Sequence, residues 1–379
     1  MTESSAKTLT LVSKGEYADA PYPVHGTDLH VAQRIRPRLW VRTVAGPSIG
    51  FGHLRRSLAL ARLLEGSLEP IFLLDSSDIG SQLQVAAQGW SFESFKLSRL
   101  WSRLSPPHGI LIDTRETEGL ALLLEKASER CIPIISIHDL GLNPLPSDIV
   151  IDGSISPSTE GFLRNDAAFF TGTSYLVLEP VYGLLHQRHK RIADRIGSVV
   201  VNMGGGDSGG CFVKVLEGLR LWGRELEVAG IPGFAFWGQK ALAEIDWRPL
   251  RFRWAAPDES VAKLIFRADL AVTAVGLSAF EALCTGTPLM ALAADEFQKK
   301  TTSTLAKADA CIDLGRMDNF KPVQLPEVVS SMDEDRKRRE RLSRRGRQIV
   351  DGRGAQRVTR VIRQTVYEHA GLVPQGVEL

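Results

Sequence analysis

The residues best able to do chemistry lie in segment 50–56, where a short apolar strand is followed by a helical pattern. Gly50 and Gly52 let the backbone turn sharply and approach a ligand, and the start of the helix offers unpaired N–H groups to an anion. His53 stands in this turn, and Arg56 follows three residues later. Because a histidine side chain has an unperturbed pKa of about 6.5, it suits proton transfer near neutral pH. The pattern predicts an anion site with an adjacent base, and it also fits an ordinary strand-to-helix turn with a surface histidine.

A second turn of ligand-binding type lies in the second half of the chain. Gly204, Gly205 and Gly206 directly follow an apolar strand pattern at 198–203. Clustered glycines at a strand end let backbone N–H groups point at a phosphate. The segment matches neither a P-loop nor a dinucleotide fingerprint, and glycine-rich turns also occur without ligands. It therefore predicts phosphate binding only weakly.

A third turn contains Gly276, Leu277 and Ser278 and leads into a helix that carries Glu281. Ser278 and Glu281 have the S-x-x-E spacing of a capping box, with Ser278 as the N-cap residue. The Glu281 carboxylate could instead accept two hydrogen bonds from the diol of a ribose. The local pattern favours the cap and leaves both interpretations open.

Further polar side chains stand where strands are expected to end. Asp113 ends one strand, and His138 with Asp139 ends the next. Loops at the carboxyl ends of parallel strands line ligand clefts, so these residues are candidates for substrate contact. Adjacent residues on a strand point to opposite faces, so His138 and Asp139 need not act as a pair. No histidine, cysteine, aspartate or glutamate cluster has metal-ligand spacing, and we expect neither a metal nor another cofactor.

Residues 336–347 form a strongly basic segment. Such a segment could contact an anionic membrane surface or nucleic acid. It lacks interleaved aromatic residues, and helices with one solvated basic face are common. We therefore expect a solvated face, with at most peripheral membrane contact and no nucleic-acid partner.

Composition places the chain among globular proteins. It has 379 residues, of which 44% are hydrophobic and 24% charged, and its formal net charge is +2. This charge indicates neither a nucleic-acid binder nor a specialist for acidic surfaces. Widely spaced cysteines without a C-x-x-C pair suit a reducing, cytoplasmic setting. No apolar run approaches the roughly 18 residues of a membrane span, and the N-terminus lacks the order of a signal peptide.

Alternating strand and helix patterns predict an α/β fold with two Rossmann-like domains facing a cleft. We expect a loosely ordered extension at 1–37, a first domain at 38–190, a second domain at 191–352 and a C-terminal segment at 353–379. Strands are predicted at 39–45, 70–74, 109–113, 132–137, 149–151, 198–203, 233–237, 270–273, 288–291 and 310–313. Helices are predicted at 54–64, 118–130, 211–222 and 355–368.

Five motifs in register resemble those of the pseudaminic-acid-pathway UDP-sugar hydrolases (PseG) and the related SpsG-type spore-coat polysaccharide proteins, which have the GT-B fold. The resemblance spans roughly residues 41–363. In chain order the motifs are G-x-G-H-x-x-R at 50–56, P-V-Y-G-L-L at 180–185, M-G-G-G-D at 203–207, G-x-[ST]-x-x-E at 276–281 and D-G-x-G-x-x-R at 351–357.

The resemblance implies a GT-B-like architecture whose C-terminal helix crosses back to the first domain. It also implies a UDP-sugar substrate, with His53 activating water against the anomeric carbon while UDP leaves. Glycines 204–206 and the turn at 276–278 would hold the diphosphate, and Glu281 would bind the ribose. The uracil would lie near Trp254, contacted mainly by backbone groups. The expected product besides UDP is an amino or acetamido sugar for surface glycan synthesis.

Two departures from the family pattern concern the same cleft. His138 and Asp139 stand where the family usually has Asp-Asp, and Phe297 and Gln298 stand where it usually has Asn-Gln. Gln298 still offers a hydrogen-bond partner to a substrate. Because the replaced asparagine belongs to the family's active-site region, two alternatives to hydrolysis stay open. One is a glycosyltransferase of the same fold, and the other is a nucleotide-sugar-binding protein without catalysis.

Overall fold

The structure is a computed structural model. It describes residues 36–46, 50–95, 100–102, 104–114, 119–138, 145–157, 166–205, 210–233 and 239–372. Almost all of the predicted N-terminal extension lies outside these residues, as do Asp139 and Gly206.

The first half of the chain forms a sheet of seven parallel strands in the order β3-β2-β1-β4-β5-β6-β7. The strands are β1 (Arg38–Thr43), β2 (Glu69–Leu74), β3 (Ser91–Ser94), β4 (Gly109–Asp113), β5 (Ile134–His138), β6 (Ile149–Asp152) and β7 (Ala168–Thr171). The helices with described bounds are α1 (Gly52–Leu64), α2 (Ile79–Ala87) and α3 (Ala121–Glu129).

The central strands of this sheet are buried on both faces. Val41 and Leu111 belong to an apolar cluster that includes α1, whereas Trp40 and Ile110 belong to a cluster that includes α3. Successive side chains of a strand point to opposite faces, so a strand covered on both faces needs an unbroken apolar run. This is why the central strands are the ones that the sequence pattern predicts.

The second half forms a sheet of six parallel strands in the order β10-β9-β8-β11-β12-β13. The strands are β8 (Ser198–Asn202), β9 (Leu226–Gly230), β10 (Leu250–Trp254), β11 (Leu270–Ala274), β12 (Leu289–Ala293) and β13 (Ile312–Arg316). Helix α4 (Pro180–His186) precedes this sheet. The helices after β8 are α5 (Cys211–Trp222), α6 (Gln239–Ala243), α7 (Val261–Arg267), α8 (Leu277–Thr285), α9 (Glu296–Lys307), α10 (Leu325–Glu334) and α11 (Arg336–Ile349).

The last helix, α12 (Gly354–His369), packs against α1 of the first sheet. Val358, Ile362 and Val366 share one apolar cluster with Leu54 of α1. These positions recur at four-residue spacing, so they form one stripe of the helix that faces α1. The end of the chain that follows the second sheet therefore lies on the first.

The expectation of two Rossmann-like parallel sheets is confirmed. The predicted strand at 233–237 is wrong at Gly233, which is outside any strand, and residues 234–238 are not among those described. The strand of this region is β9, which the pattern missed. It also missed β3, β7 and β10, which are edge strands. Edge strands are partly exposed and do not need apolar runs.

Both sheets have a point where the strand order reverses. This point lies between β1 and β4 in the first sheet and between β8 and β11 in the second. In open α/β sheets, ligands bind in the crevice outside the carboxyl ends of the strands at such a point. The three turns singled out from the sequence follow β1, β8 and β11, and Asp113 ends β4.

Candidate active site

His53 is the second residue of α1, and its side chain is held by Asp113 at the end of β4. The Nδ1 atom of His53 lies 2.6 Å from Oδ1 of Asp113. Arg56 Nη2, which can only donate, also lies 3.1 Å from Nδ1, but the carboxylate contact is much shorter and an ionised carboxylate only accepts, so we assign the proton to Nδ1. In the neutral imidazole the lone pair is therefore on Nε2, which is the state that a general base requires.

Asp113 is fully buried and also forms an ion pair with Arg56 of α1. Arg56 Nε donates to Oδ2 over 2.8 Å, and Arg56 Nη2 donates to Oδ1. Burial alone would raise the pKa of Asp113, but the charges of Arg56 and His53 outweigh it and hold this pKa at about 2. Asp113 thus stays ionised at neutral pH and can stabilise a protonated His53.

Arg56 and Asp113 were both predicted as substrate contacts, and this stays a prediction; the contacts that the structure shows are with each other and with His53. Each has less than a tenth of its surface exposed, and each is engaged with the other. They therefore position His53. Ser57, which the sequence analysis did not single out, adds a long contact of 3.4 Å from its Oγ to Asp113. It stands one helical position after Arg56, and no pattern in the sequence marks it.

The glycine turns of the two sheets touch each other. A Cβ atom added at Gly205 would lie 2.8 Å from the Cα atom of Gly50. Gly50 and Gly204 both adopt positive φ angles, of 84° and 81°, which residues with a side chain rarely tolerate. Gly233 approaches the same place, since a Cβ there would collide with the Gly204 carbonyl oxygen. The close approach therefore depends on glycine at positions 205 and 233, whereas at position 50 glycine is favoured by the positive φ, since a Cβ there would meet nothing within 4 Å.

Asn202, at the end of β8, joins the second and third turns. Its Oδ1 accepts from the Gly204 N–H over 2.9 Å, and its Nδ2 donates to the Ser278 hydroxyl over 2.9 Å. Asn202 was not among the predicted site residues, although a polar side chain at the end of an apolar strand is a signal that could have identified it. The bridge places the N–H groups at the start of α8 beside the glycine turn.

The predicted capping box at Ser278 is wrong. Helix α8 begins at Leu277, Gly276 occupies the N-cap position, and no side chain caps the helix. The Ser278 hydroxyl instead accepts from Asn202, and Glu281 points to the first domain. Tertiary partners thus take both side chains that a local cap would have used.

Glu281 belongs to an ion-pair cluster between the two halves of the molecule. Arg55 of α1 lies 3.1 Å from Oε1 of Glu281 and 2.7 Å from Oε1 of Glu179, just before α4. Glu281 is 2% exposed, and burial raises its pKa while Arg55 lowers it. The buried hydroxyl of Tyr182 lies beside the same carboxylate and, like Arg55, lowers the pKa of Glu281. Arg55 and Glu179 had not been predicted, because their partners are distant in sequence.

Three other predicted residues, His138, Gln298 and Trp254, make contacts outside the pair of His53 and Asp113. His138 is buried at the end of β5, with its Nε2 at 2.8 Å from the Ser136 hydroxyl. Gln298 Oε1 accepts from the Ala294 N–H at the start of α9, so that oxygen serves the local turn. Trp254, at the end of β10, stacks on Phe212 with ring centroids 4.8 Å apart. These three contacts involve neither His53 nor Asp113.

Two curated proteins match the sequence. Over 225 residues the chain is 27% identical to the spore coat polysaccharide biosynthesis protein SpsG of Bacillus subtilis (strain 168), covering 59% of this chain and 66% of SpsG. Over 287 residues it is 23% identical to the uncharacterized protein MJ1062 of Methanocaldococcus jannaschii, covering 69% of this chain and 57% of that protein. The matches thus span less than two thirds of either relative. No family model matches the chain.

Solved structures match a larger share of this chain than the two curated proteins do. MurG of Acinetobacter baumannii has a TM-score of 0.63 at 15% identity, covering 87% of this chain and 99% of MurG. The calicheamicin glycosyltransferase CalG4 has a TM-score of 0.61 at 13% identity, covering 88% of this chain and 99% of CalG4. The chain has the GT-B fold. Anabaena HepE (Alr3699), solved with UDP-glucose, has a TM-score of 0.56 at 12% identity, covering 89% of this chain and 100% of HepE.

Within this GT-B fold, the His53 turn belongs to the first Rossmann-like unit, and the other two turns belong to the second. No group of three or more metal-ligating side chains that could hold an ion occurs among the described residues. Across the same residues, no helix is long and apolar enough to cross a membrane.

Proposed function

We propose that this protein is a GT-B enzyme acting on nucleotide sugars, and that it hydrolyses a UDP-sugar with His53 as the general base. The carrying observation is that Asp113 lies 2.6 Å from Nδ1 of His53, on a turn that touches the glycine turn of the second unit. The proposed base and the N–H groups that would bind the anion would therefore share one crevice. The similarity to SpsG supports a role in polysaccharide biosynthesis.

In the proposed reaction, Nε2 of His53 takes a proton from water as its oxygen attacks the anomeric carbon. The bond between that carbon and the diphosphate oxygen breaks, and UDP leaves with the electron pair. Asp113 stabilises the imidazolium that forms, because its carboxylate stays ionised beside Nδ1. The N–H groups at the start of α8 and around Gly204 would stabilise the charge on the departing diphosphate.

Glu281 would receive the ribose hydroxyls through its carboxylate, beside which lies the Tyr182 hydroxyl. Its Oε1 is already held by Arg55, and the whole side chain is nearly inaccessible. The ribose can therefore reach Glu281 only when the side chains around it shift, and Arg55 is the one that also contacts Glu179. Nucleotide binding and the contact between the two halves of the molecule would then be linked.

The second candidate function is sugar transfer. It is favoured by the likeness to the glycosyltransferase CalG4 in fold and coverage. The same base would then take the proton of an acceptor hydroxyl instead of water, and every other group would keep its role. The two reactions differ only in the nucleophile.

A panel of UDP-sugars and other nucleotide sugars, incubated with and without candidate acceptors, tests both functions. Free sugar and UDP released without acceptor would support hydrolysis, and turnover that requires an acceptor would support transfer. Nucleotide binding without turnover of any donor would contradict both and leave a binding protein.

The His53→Ala variant tests the assigned base. It should lose about 10² to 10⁴ in turnover while it retains nucleotide binding, since general-base catalysis typically contributes that much. His369→Ala is the matched control, because His369 is exposed at the end of α12. Near wild-type turnover by His53→Ala would refute the assignment.

A further inference from the structure

A groove of about 590 Å³ lies between helix α11 and the segment that enters the second sheet. Its charged lining, which we call the basic groove, consists of Lys190, Arg191, Arg336, Arg344, Arg347 and Glu340. Five positive groups thus face one carboxylate among the described lining residues. The whole chain carries a formal net charge of only +2, so positive charge is concentrated here.

The acidic groups of this region neutralise little of that charge. Arg336 pairs with both Asp194 and Glu340, which accounts for these carboxylates. Within the described structure, Arg191 and Arg344 have no carboxylate at ion-pair distance. Two guanidinium groups from opposite walls are therefore available to a ligand.

The other two cations are fixed in place by backbone oxygens. Lys190 Nζ donates to two carbonyl oxygens at the end of α7, and Arg347 donates to two carbonyl oxygens of the entering segment. Carbonyl groups orient these cations without cancelling their charge. Burial lowers the pKa of Lys190 to about 8 although the carboxylate of Asp269 opposes this shift, and a further anion in the groove would stabilise the charged form of Lys190.

We propose that the basic groove is a binding site for a phosphate-bearing anion. A concave surface lined by one sign of charge focuses the electrostatic potential and raises the local concentration of an oppositely charged ligand. The groove volume falls within the range of about 300 to 1,000 Å³ that is usual for small-molecule sites. Arginine side chains suit phosphate because their planar N–H groups can donate in pairs.

This site is separate from the proposed nucleotide site. Arg347 and Ser343 pack against Gly286, at the carboxyl end of α8. The nucleotide would bind at the amino end of the same nine-residue helix. At 1.5 Å per residue the two ends are about 12 Å apart. The phosphate could belong to a soluble compound or to lipid headgroups at a membrane surface, and the chemistry recognised is the same.

The test compares wild-type protein with the double variant Arg191→Gln/Arg344→Gln. Arg62→Gln/Arg360→Gln is the matched control, because it removes two exposed arginines from α1 and α12. Inorganic pyrophosphate, titrated by calorimetry, probes the soluble source. Cosedimentation with phosphatidylcholine vesicles, with and without phosphatidylglycerol, probes the lipid source.

We expect the groove variant to bind at least one probe about tenfold to a hundredfold more weakly than wild type, since each lost charge-assisted hydrogen bond weakens binding. Pyrophosphate binding lost in the groove variant alone would assign a soluble ligand. Selective loss of phosphatidylglycerol binding would assign a lipid surface. If the groove variant binds both probes as wild type does, or if the control loses as much, the proposal is overturned. These readouts do not depend on enzymatic turnover.

Discussion

Replacement of Asp113 by asparagine should separate the positioning of His53 from the rest of the site. The new amide would keep the shape of the side chain but remove the negative charge that His53 and Arg56 share. The protonated form of His53 would lose its stabilising partner. We expect turnover to fall by about 10² to 10⁴, with little change in nucleotide affinity.

The same substitution should destabilise the fold. The pKa of Asp113 is about 2, against 3.8 for the unperturbed group, and this difference corresponds to about 2 kcal/mol of stability at neutral pH. Removal of the carboxylate also leaves the buried Arg56 without its partner, which typically costs about 3 to 5 kcal/mol in total. We expect a loss in that range, measured by urea unfolding at pH 7.

The pH dependence follows from the sign of the shift. Because the folded pKa is lowered, the stabilisation is complete above about pH 4 and is lost as the pH falls toward 2. The wild-type unfolding free energy should therefore decline through this interval, and that of Asp113→Asn should decline less. Identical slopes for the two proteins would refute the assigned charge of Asp113.

Asp75→Asn is the matched control, since both carboxylate oxygens of Asp75 accept hydrogen bonds from the buried Arg42, whereas the carboxylate that contacts His53 is that of Asp113. It should lower stability without lowering turnover per folded molecule. Turnover must be measured at a temperature where circular dichroism shows both variants to be folded. If Asp113→Asn loses stability but keeps wild-type turnover, the proposed link between Asp113 and the base is wrong.

Three further predictions concern the cleft between the two units. Gly205→Ala should force the two glycine turns apart, because the new Cβ would lie 2.8 Å from Gly50 Cα. We therefore expect lower turnover and weaker thermal protection by UDP. Gly223→Ala, at a helix end, is the control for backbone strain alone. Arg55→Gln and Glu281→Gln should be non-additive in unfolding free energy by about 0.5 to 3 kcal/mol, and simple additivity would contradict the ion pair. Phe297, which is 52% exposed at the start of α9, replaces the asparagine of the resembling family. Phe297→Asn should shift kcat/KM toward the UDP-sugar substrate of the pseudaminic-acid pathway by about 1 kcal/mol, the contribution of one hydrogen bond at a partly exposed position. If wild type already hydrolyses that UDP-sugar as efficiently as others, the substitution at position 297 has no effect on selectivity.

The sequence by itself determined most of the central strands of both sheets and the glycine-containing turns that follow three of them. Central strands carry unbroken apolar runs because both of their faces are covered, so β1, β4, β8 and β11 could be predicted together with the turns after β1, β8 and β11. The partly exposed edge strands β3, β7 and β10 were missed, and so was the inner strand β9, whose apolar run is interrupted by Glu227.

Only the tertiary structure decided what the polar side chains of these turns do. Asp113 is 60 residues from His53 and Glu281 is 226 residues from Arg55, so no local spacing relates the partners. The local pattern at Ser278 and Glu281 favoured a helix cap, but Asn202 and Arg55 take both side chains. A cap is one weak local hydrogen bond, whereas a buried carboxylate must find a charged partner wherever the fold supplies one.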